Sequence, residues 1–365
     1  MNNMKYYSLK NILSRNATYN FIFGERSNGK TFACLQYGVE QYAKNHKQFA
    51  VVRRWQDDFT GKRGATMFDA LVSTGEISRL TKGTWTNVYY YGSRWYLCRF
   101  EENQKGKTDR IIDETPFAYG FALTAESHDK STAYPNITTV VFDEVITRNG
   151  YLPDEFVLFM NTLSTIIRDR DDVKIFMLGN TINKYCPYFD EMGLTHVPNM
   201  TQGEISVYTY GNTKLTVAVE YCKPNAAGKP SDHYFAFQNP RLKMVTTGSW
   251  EIGIYPHCPV KYVPKDIIFN FFIIFQRETL QCEVVSKDEH NFIFIHPKTT
   301  PLKDTDNDLI YTTEFSSRPN YRRKLTKPTT PFEKKIAAYF IRDKVFYSSN
   351  AVGEVVRNYL EWCNN

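Results

Sequence analysis

Residues 24 to 31 read Gly24-Glu25-Arg26-Ser27-Asn28-Gly29-Lys30-Thr31, a complete G-x-x-x-x-G-K-T phosphate-binding loop. Glycine at both ends lets the backbone curl so that its N–H groups, Ser27 and Asn28 included, converge on a β-phosphate. Lys30 supplies a point charge to the β- and γ-phosphates, and the Thr31 hydroxyl is a ligand for Mg²⁺. Arg26 lies inside the loop, where it can reach a phosphate, act across a subunit boundary, or point to solvent.

A second pattern supplies acids. Thr138-Thr139-Val140-Val141-Phe142-Asp143-Glu144 is an apolar, β-branched run that ends in two carboxylates, as expected of a central parallel strand with a Walker B pair at its carboxyl end. Asp143 would hold Mg²⁺ through water. Glu144, one residue on, can turn toward a water attacking the γ-phosphate and is the candidate general base.

These groups need a sheet to position them. Residues 18 to 23, 48 to 54, 138 to 144 and 174 to 180 are short apolar runs of strand character, and helical spacing follows the first and third. The pattern predicts an α/β domain with a mainly parallel sheet, and the helix after the loop is expected from Thr31 to Gln41. Asn87 to Phe100 alternates around Gly92-Ser93 and predicts a hairpin, followed by a charged loop from Glu101 to Arg110.

A stretch of linker composition around Cys222 to Asp232 divides the chain into a motor domain over residues 1–221, a linker region over 222–250 and a C-terminal domain over 251–365. The last has strand-like runs at Ile267 to Phe275 and Asn291 to Ile295, with helices expected at Phe332 to Phe346 and Ala351 to Trp362.

Composition bounds the rest. A chain of 365 residues is long enough for two domains, and a net charge of +6 is compatible with a polyanionic partner. Seven cysteines are scattered singly without a C-x-x-C pair, so neither a zinc site nor a disulfide framework is indicated and a reducing setting is expected. The apolar stretch Ile267 to Phe275 is too short to cross a bilayer, so no membrane partner is expected.

Five segments taken together resemble the DNA-packaging ATPases of phi29-like podophages. They are the loop GERSNGKT, the pair in Val51-Val52-Arg53-Arg54, the approach Ser131-Thr132-Ala133-Tyr134-Pro135-Asn136 into TTVVFDE, Ile166-Ile167-Arg168-Asp169-Arg170, and Phe176-Met177-Leu178-Gly179-Asn180. The resemblance covers roughly residues 1 to 220. It implies a P-loop ATPase of the additional-strand, conserved-glutamate (ASCE) class that binds ATP and Mg²⁺, and a smaller C-terminal α+β domain resembling a vestigial RNase H-like nuclease. Such subunits form a homo-oligomeric ring, typically pentameric, that drives double-stranded DNA through the portal of a procapsid in the host cytoplasm; some relatives use a structural packaging RNA.

By the same resemblance, Arg168 matches the trans-acting arginine finger, although Arg168 and Arg170 could instead satisfy neighbouring aspartates, and Arg170 and Arg148 are further finger candidates. Asn180 sits where a sensor residue can contact the γ-phosphate or the attacking water, or serves as a turn residue. Tyr6 to Leu13 occupies the adenine-contacting region. A motor that moves any sequence must grip phosphates, and the candidates are Arg53, Arg54, Lys62 and Arg63 after the second strand and Lys105, Lys107 and Arg110 near the hairpin. Arg318, Arg322, Arg323, Lys324 and Lys327 form a denser basic stretch suited to nucleic acid, the portal or solvent.

Other readings stay open. A GTPase is disfavoured because Asn183-Lys184-Tyr185-Cys186 has Cys186 where the guanine-reading acid belongs. A nucleotide kinase or other P-loop phosphotransferase, a nucleotide-binding scaffold, and a terminase large subunit with an active nuclease are the alternatives. The nuclease would need about three of Asp266, Glu278, Glu283, Asp288, Asp304, Asp306 and Asp308 to converge on two metal ions, and the resemblance favours none.

Overall fold

The apolar runs read as strands become neighbours in one sheet, because each is buried on both faces and only a central sheet position hides it. The computed structural model describes residues 7–128, 132–147, 150–168, 170–223, 250, 253–303 and 307–364. Arg148, Asp169, Ser131, Asp304, Asp306 and nearly all of the expected linker region fall outside these. The chain divides into two compact units, Met1–Trp250 and Glu251–Asn365.

The first unit holds β1 (Tyr19–Gly24), β2 (Gln48–Arg53), β3 (Asn87–Tyr91), β4 (Arg94–Glu102), β5 (Thr108–Ile112), β6 (Ala118–Ala122), β7 (Ile137–Phe142), β8 (Lys174–Asn180), β9 (Ile205–Thr209) and β10 (Thr216–Tyr221). Their order is β3-β4-β6-β2-β7-β8-β1-β10-β9, with β5 on β4. The stretch from β6 to β10 is parallel, and the antiparallel pairs lie at the margins. One strand, β8, separates the strand that feeds the phosphate loop from the strand that carries the acids, the arrangement of the additional-strand ATPase class.

Two long helices cover opposite faces of this sheet. The helix after the phosphate loop, α1 (Lys30–Asn45), sets Cys34 against Ile22, Val141 and Phe176 and Val39 against Phe49 and Val51. The other, α2 (Glu155–Ile167), packs Phe159, Leu163 and Ile166 against Phe21, Val140, Phe142 and Ile175. Burying one such side chain fully is worth about 1.5–3 kcal/mol, so the two faces fix both helix ends relative to the strand ends.

The charged segment from Glu101 to Arg110 differs from the expected loop. Strand β4 runs through Glu102 and β5 starts at Thr108, leaving a tight turn closed by Asn103, whose Oδ1 accepts from the backbone of Lys105 (2.9 Å) and Lys107 (3.0 Å). Both strands are exposed there, so charge marks solvated ribbon faces rather than irregular backbone. The expected linker region also gives up its two ends. Cys222 N–H donates to Phe23 O (2.8 Å), and the Trp250 ring stacks on Phe23 with centroids 5.2 Å apart.

In the second unit, β11 (Ile267–Phe275), β12 (Glu278–Lys287), β13 (His290–Pro297), β14 (Leu309–Thr312), β15 (Tyr321–Arg322) and β16 (Val345–Tyr347) form a sheet in the order β15-β14-β11-β12-β13-β16. The meander β11-β12-β13 is antiparallel, and β14, β15 and β16 add in parallel at its two sides. Helices α3 (Pro331–Ile341) and α4 (Asn350–Asn364) complete it. The expected helix Phe332 to Phe346 stops early. Asp343 takes φ 53°, and Lys344 N–H reaches back to Tyr339 O (2.9 Å), a Schellman stop that frees the β-favouring Val345-Phe346-Tyr347 to pair with β13.

Candidate nucleotide-binding and hydrolysis site

The parallel strands put their carboxyl ends on one edge: Gly24 pairs with Asn180, Met177 with Phe142, and Phe142 with Val52. The phosphate loop, the two acids and Asn180, all proposed from the sequence for phosphate chemistry, leave the strands at this edge. Gly29 takes φ 92°, a backbone that side chains resist, and α1 begins at the next residue. Gly24 is excluded from carrying a side chain for another reason, since a Cβ would stand 2.9 Å from the Cys222 Cβ.

Lys30 is 5% exposed, and its ammonium donates to Glu25 O (2.7 Å), Asn28 Oδ1 (3.2 Å) and Asn180 Oδ1 (3.2 Å). Burial pulls its pKa below the ordinary lysine value, while nearby groups including Asp143 oppose the shift. Asn28 Oδ1 also accepts from the Lys30 N–H (3.2 Å), so one amide organises both the loop backbone and its cation. Exposed Arg26 and Ser27 line the cleft that holds Asp143 and Glu144.

Thr31 Oγ1 donates to Asp143 Oδ2 at 3.0 Å. Two hard oxygen groups at this spacing, beside a buried ammonium and a glycine-bounded loop, form the donor set that suits Mg²⁺ and a triphosphate. Asn180 completes the edge through Lys30. Ser73 and Thr74, at the end of the short helix Asp69–Ser73, line the same pocket as Lys30, Thr31 and Asp143. Sequence reasoning missed them, because a Ser-Thr pair after a short helix carries no signal of its own.

The paired arginines turn to acids of their own chain. Arg53 Nη2 lies 3.0 Å from Asp143 Oδ2 and Arg53 Nη1 lies 3.1 Å from Glu144 Oε2, and its Nε is a buried donor without a partner among the described residues. Arg54 turns the other way and is 6% exposed. It donates to both oxygens of buried Glu155 (2.6 and 2.7 Å) and to the carbonyls of Glu144 and Val145 (both 3.2 Å). Both residues expected to grip DNA are instead engaged within the fold: β2 ends beside β7, so the two residues after Val52 meet the acids and the backbone that follows them.

That network explains an unusual backbone. Glu144 has φ 63°, sparsely populated for a non-glycine residue, and holds it between Arg54 on its carbonyl and Asp143 Oδ1 on its N–H (3.0 Å). Glu155, which no motif singled out, anchors the network by also accepting from Leu152 N–H (2.8 Å) and Tyr188 O–H (3.0 Å). The signal available was only an acid in the first turn of a helix.

Arg168 and Arg170 lie at the other edge of the sheet. Arg170 pairs with Asp172 (3.3 Å), as one alternative for it expected, and donates to the carbonyls of Ile137 (2.6 Å), Ile166, Ile167, Tyr134 and Pro135, tying the end of α2 to the start of β7. Arg168 is exposed, takes φ 51°, and donates to Thr132 O (3.2 Å). The six-residue strand β7 separates this edge from Asp143 by roughly 20 Å. Neither arginine touches its own chain's phosphate loop.

The remaining basic candidates stay on the surface, Lys62 and Arg63 on the short helix Gly61–Ala65 and Lys105 and Lys107 on the β4–β5 turn. The Arg110 guanidinium lies over Tyr89 (5.0 Å) and Phe100 (5.5 Å). Tyr7 N–H donates to Asn28 O (3.0 Å), and its hydroxyl to Glu220 Oε2 (2.6 Å), which clips the segment before β1 onto the loop. In the second unit, Arg322 pairs with buried Glu333 (2.7 Å), and the Arg323 and Lys324 cations lie over Trp362. Among the described residues no group of three or more His, Cys, Asp or Glu is arranged to hold a metal ion, and no helix is long and apolar enough to cross a membrane.

Residues 1–81 and 97–223 match the family described as podovirus DNA encapsidation protein (Gp16). The chain is 27% identical over 192 residues to the DNA packaging protein of Bacillus phage phi29, covering 52% of this chain and 50% of the relative. It is 27% identical over 194 residues to that of Bacillus phage B103, covering 52% of each. The chain thus spans about half the length of the curated relatives it matches. Two solved structures share its fold. The bacteriophage Phi-29 viral genome packaging motor assembly aligns with TM-score 0.57 and 20% identity over 97% of this chain and 96% of the other. The Phi-28 gp11 DNA packaging motor aligns with TM-score 0.52 and 18% identity over 99% and 96%.

Proposed function

The chain belongs to the podovirus Gp16 DNA encapsidation family, and on that footing we propose that it is the ATP-hydrolysing subunit of a viral DNA-packaging motor. The observation that carries the reading is the convergence of Lys30, Thr31, Asp143 and Asn180 on one sheet edge, with Glu144 beside them. The loop amides and Lys30 bind and orient the triphosphate of ATP. Thr31 and Asp143 would hold Mg²⁺, and the ion would offset charge on the triphosphate. Glu144 accepts the proton of the attacking water, and Asn180 positions that water or the γ-phosphate.

Arg168 acts on a neighbouring copy. It is exposed and roughly 20 Å from its own acids, a placement that suits a finger completing another subunit's site in a homo-oligomeric ring. Arg170, bound to five backbone carbonyls and to Asp172, serves the fold instead. The partners in this reading are double-stranded DNA and the procapsid portal, in the host cytoplasm, with a packaging RNA and a five-subunit ring as its finer points. The grip on DNA falls to exposed Lys62, Arg63, Lys105, Lys107 and Arg110. The antiparallel meander flanked by parallel strands supports reading the second unit as a vestigial RNase H-like domain that serves docking rather than cleavage.

The test is the ATPase rate measured against protein concentration, with and without double-stranded DNA. The reading expects turnover per chain to rise with concentration, as composite sites assemble, and to rise again with DNA. A rate per chain indifferent to both would overturn it.

A further inference from the structure

The second unit contains a groove of about 770 Å³ between α3 and the β13/β16 side of the sheet, whose lining is cationic and aromatic. Helical spacing builds one wall. Lys334, Ala338 and Arg342 follow one another at every fourth residue, with Lys335 and Tyr339 on the adjoining row, while Ile336 and Ala337 are buried. The Schellman stop then folds Lys344 back toward the same groove, and Phe346 on β16 lines its floor.

The charges there are not used by the fold. Lys334, Lys335, Arg342 and Lys344 are exposed, and among the described residues none pairs with an acid, whereas Arg322 and Arg357 in the same unit do. Glu289 is the one carboxylate in the lining, against four cations and His290. Gathering like charges in a concave surface is unfavourable unless a polyanion is to be bound there. Tyr339 and Phe346 are half-buried, and Phe346 is held edge-on by buried Phe292 (centroids 5.6 Å apart, 89°). A fixed aromatic wall beside unpaired cations is the chemistry that takes a base on the ring and phosphates on the lysines.

We propose that this groove binds a single-stranded segment of nucleic acid, with phosphates on Lys334, Lys335, Arg342 and Lys344 and a base against Tyr339 and Phe346. A duplex is disfavoured because its base faces are hidden in the stack, which leaves the aromatic wall without a partner. The inference goes beyond the packaging reading, and it holds or fails in the second unit whatever the first unit hydrolyses.

The test uses the full chain and labelled oligouridylate or oligothymidylate in fluorescence anisotropy. Binding of either oligonucleotide is expected. The double change Lys334→Glu with Lys335→Glu should weaken it at least about tenfold and flatten the salt slope by about 0.7 for each phosphate no longer neutralised. Tyr339→Ala should weaken it about tenfold with the slope unchanged, and Tyr339→Phe should retain it. Duplex affinity and ATPase rate should not move. Lys334→Arg with Lys335→Arg should bind like the parent, which separates charge from folding defects. Equal losses for duplex and single strand, undiminished binding by the charge-reversed variant, or equal competition by polyglutamate would overturn the proposal. So would photocrosslinks from thiouridine-substituted oligonucleotide to the unaltered protein that form only away from the groove.

Discussion

Arg53 grips Glu144 with one guanidinium nitrogen (3.1 Å) and Asp143 with another (3.0 Å), so a single side chain from β2 spans both acids that follow β7. The Glu144 side chain is 67% exposed, and an ion pair that open is worth about 1 kcal/mol at most. It still occupies an oxygen that Glu144, in the proposed role of base, would need free. Replacing Arg53 by Gln should therefore raise the DNA-free ATPase rate a few-fold, about the factor that 1 kcal/mol allows. A fall in that rate would mean that Arg53 stabilises the reacting geometry instead.

Glu144→Gln should lower turnover by about 10²–10⁴-fold with nucleotide affinity nearly intact, since the amide keeps the shape but accepts no proton. Lys30→Ala should act on affinity itself, because the buried ammonium is the cation of the phosphate loop. Single-turnover rates and equilibrium nucleotide binding distinguish the two. Near-parental turnover in Glu144→Gln would remove that residue from the role of base.

Breaking the pair beneath the acids should unfold the motor unit before it alters chemistry. Glu155→Ala strands the buried Arg54 charge, and losing one partner of such a pair costs about 3–5 kcal/mol. Urea denaturation should show a lowered midpoint. A variant as stable as its parent would show that water reaches Arg54 and replaces the carboxylate.

Subunits carrying Arg168→Ala keep their own phosphate loop, and subunits carrying Glu144→Gln keep their finger. Mixing the two inactive proteins should restore part of the ATPase activity, at concentrations that permit assembly, because a finger contributes on the order of 10³–10⁵-fold. Mixed assemblies without activity would confine Arg168 to its own chain. Arg170→Ala should behave differently and lower stability, since its guanidinium satisfies carbonyls at the start of β7.

If DNA is held through phosphates, affinity should fall steeply with salt and be indifferent to sequence. Neutralising Lys105 and Lys107 on the β4–β5 turn should flatten that dependence by about 0.9 for each duplex phosphate left without its lysine. An unchanged slope would place the grip on Lys62, Arg63 or the second unit.

The sequence by itself settled what depends on neighbours in the chain. Phe21 to Thr31 specified strand, loop and helix, because the loop's glycines and the flanking apolar spacing are local requirements. Asp143 and Glu144 were legible at the end of a β-branched run for the same reason. Tertiary structure decided which charges meet. Arg53 and Arg54 look alike in sequence, yet the alternation of backbone direction at the end of β2 sends one to the acids and the other into the core. Their fate depends on β7 lying beside β2, roughly ninety residues later in the chain, and no local pattern encodes that pairing. Arg168 and Arg170 divide likewise, because only the return of α2 to the far edge of the sheet turns one into a carbonyl clamp and leaves the other exposed. The groove beside α3 needed both the helix spacing, visible in sequence, and the Schellman stop that folds Lys344 back, which only the formed turn at Asp343 decides.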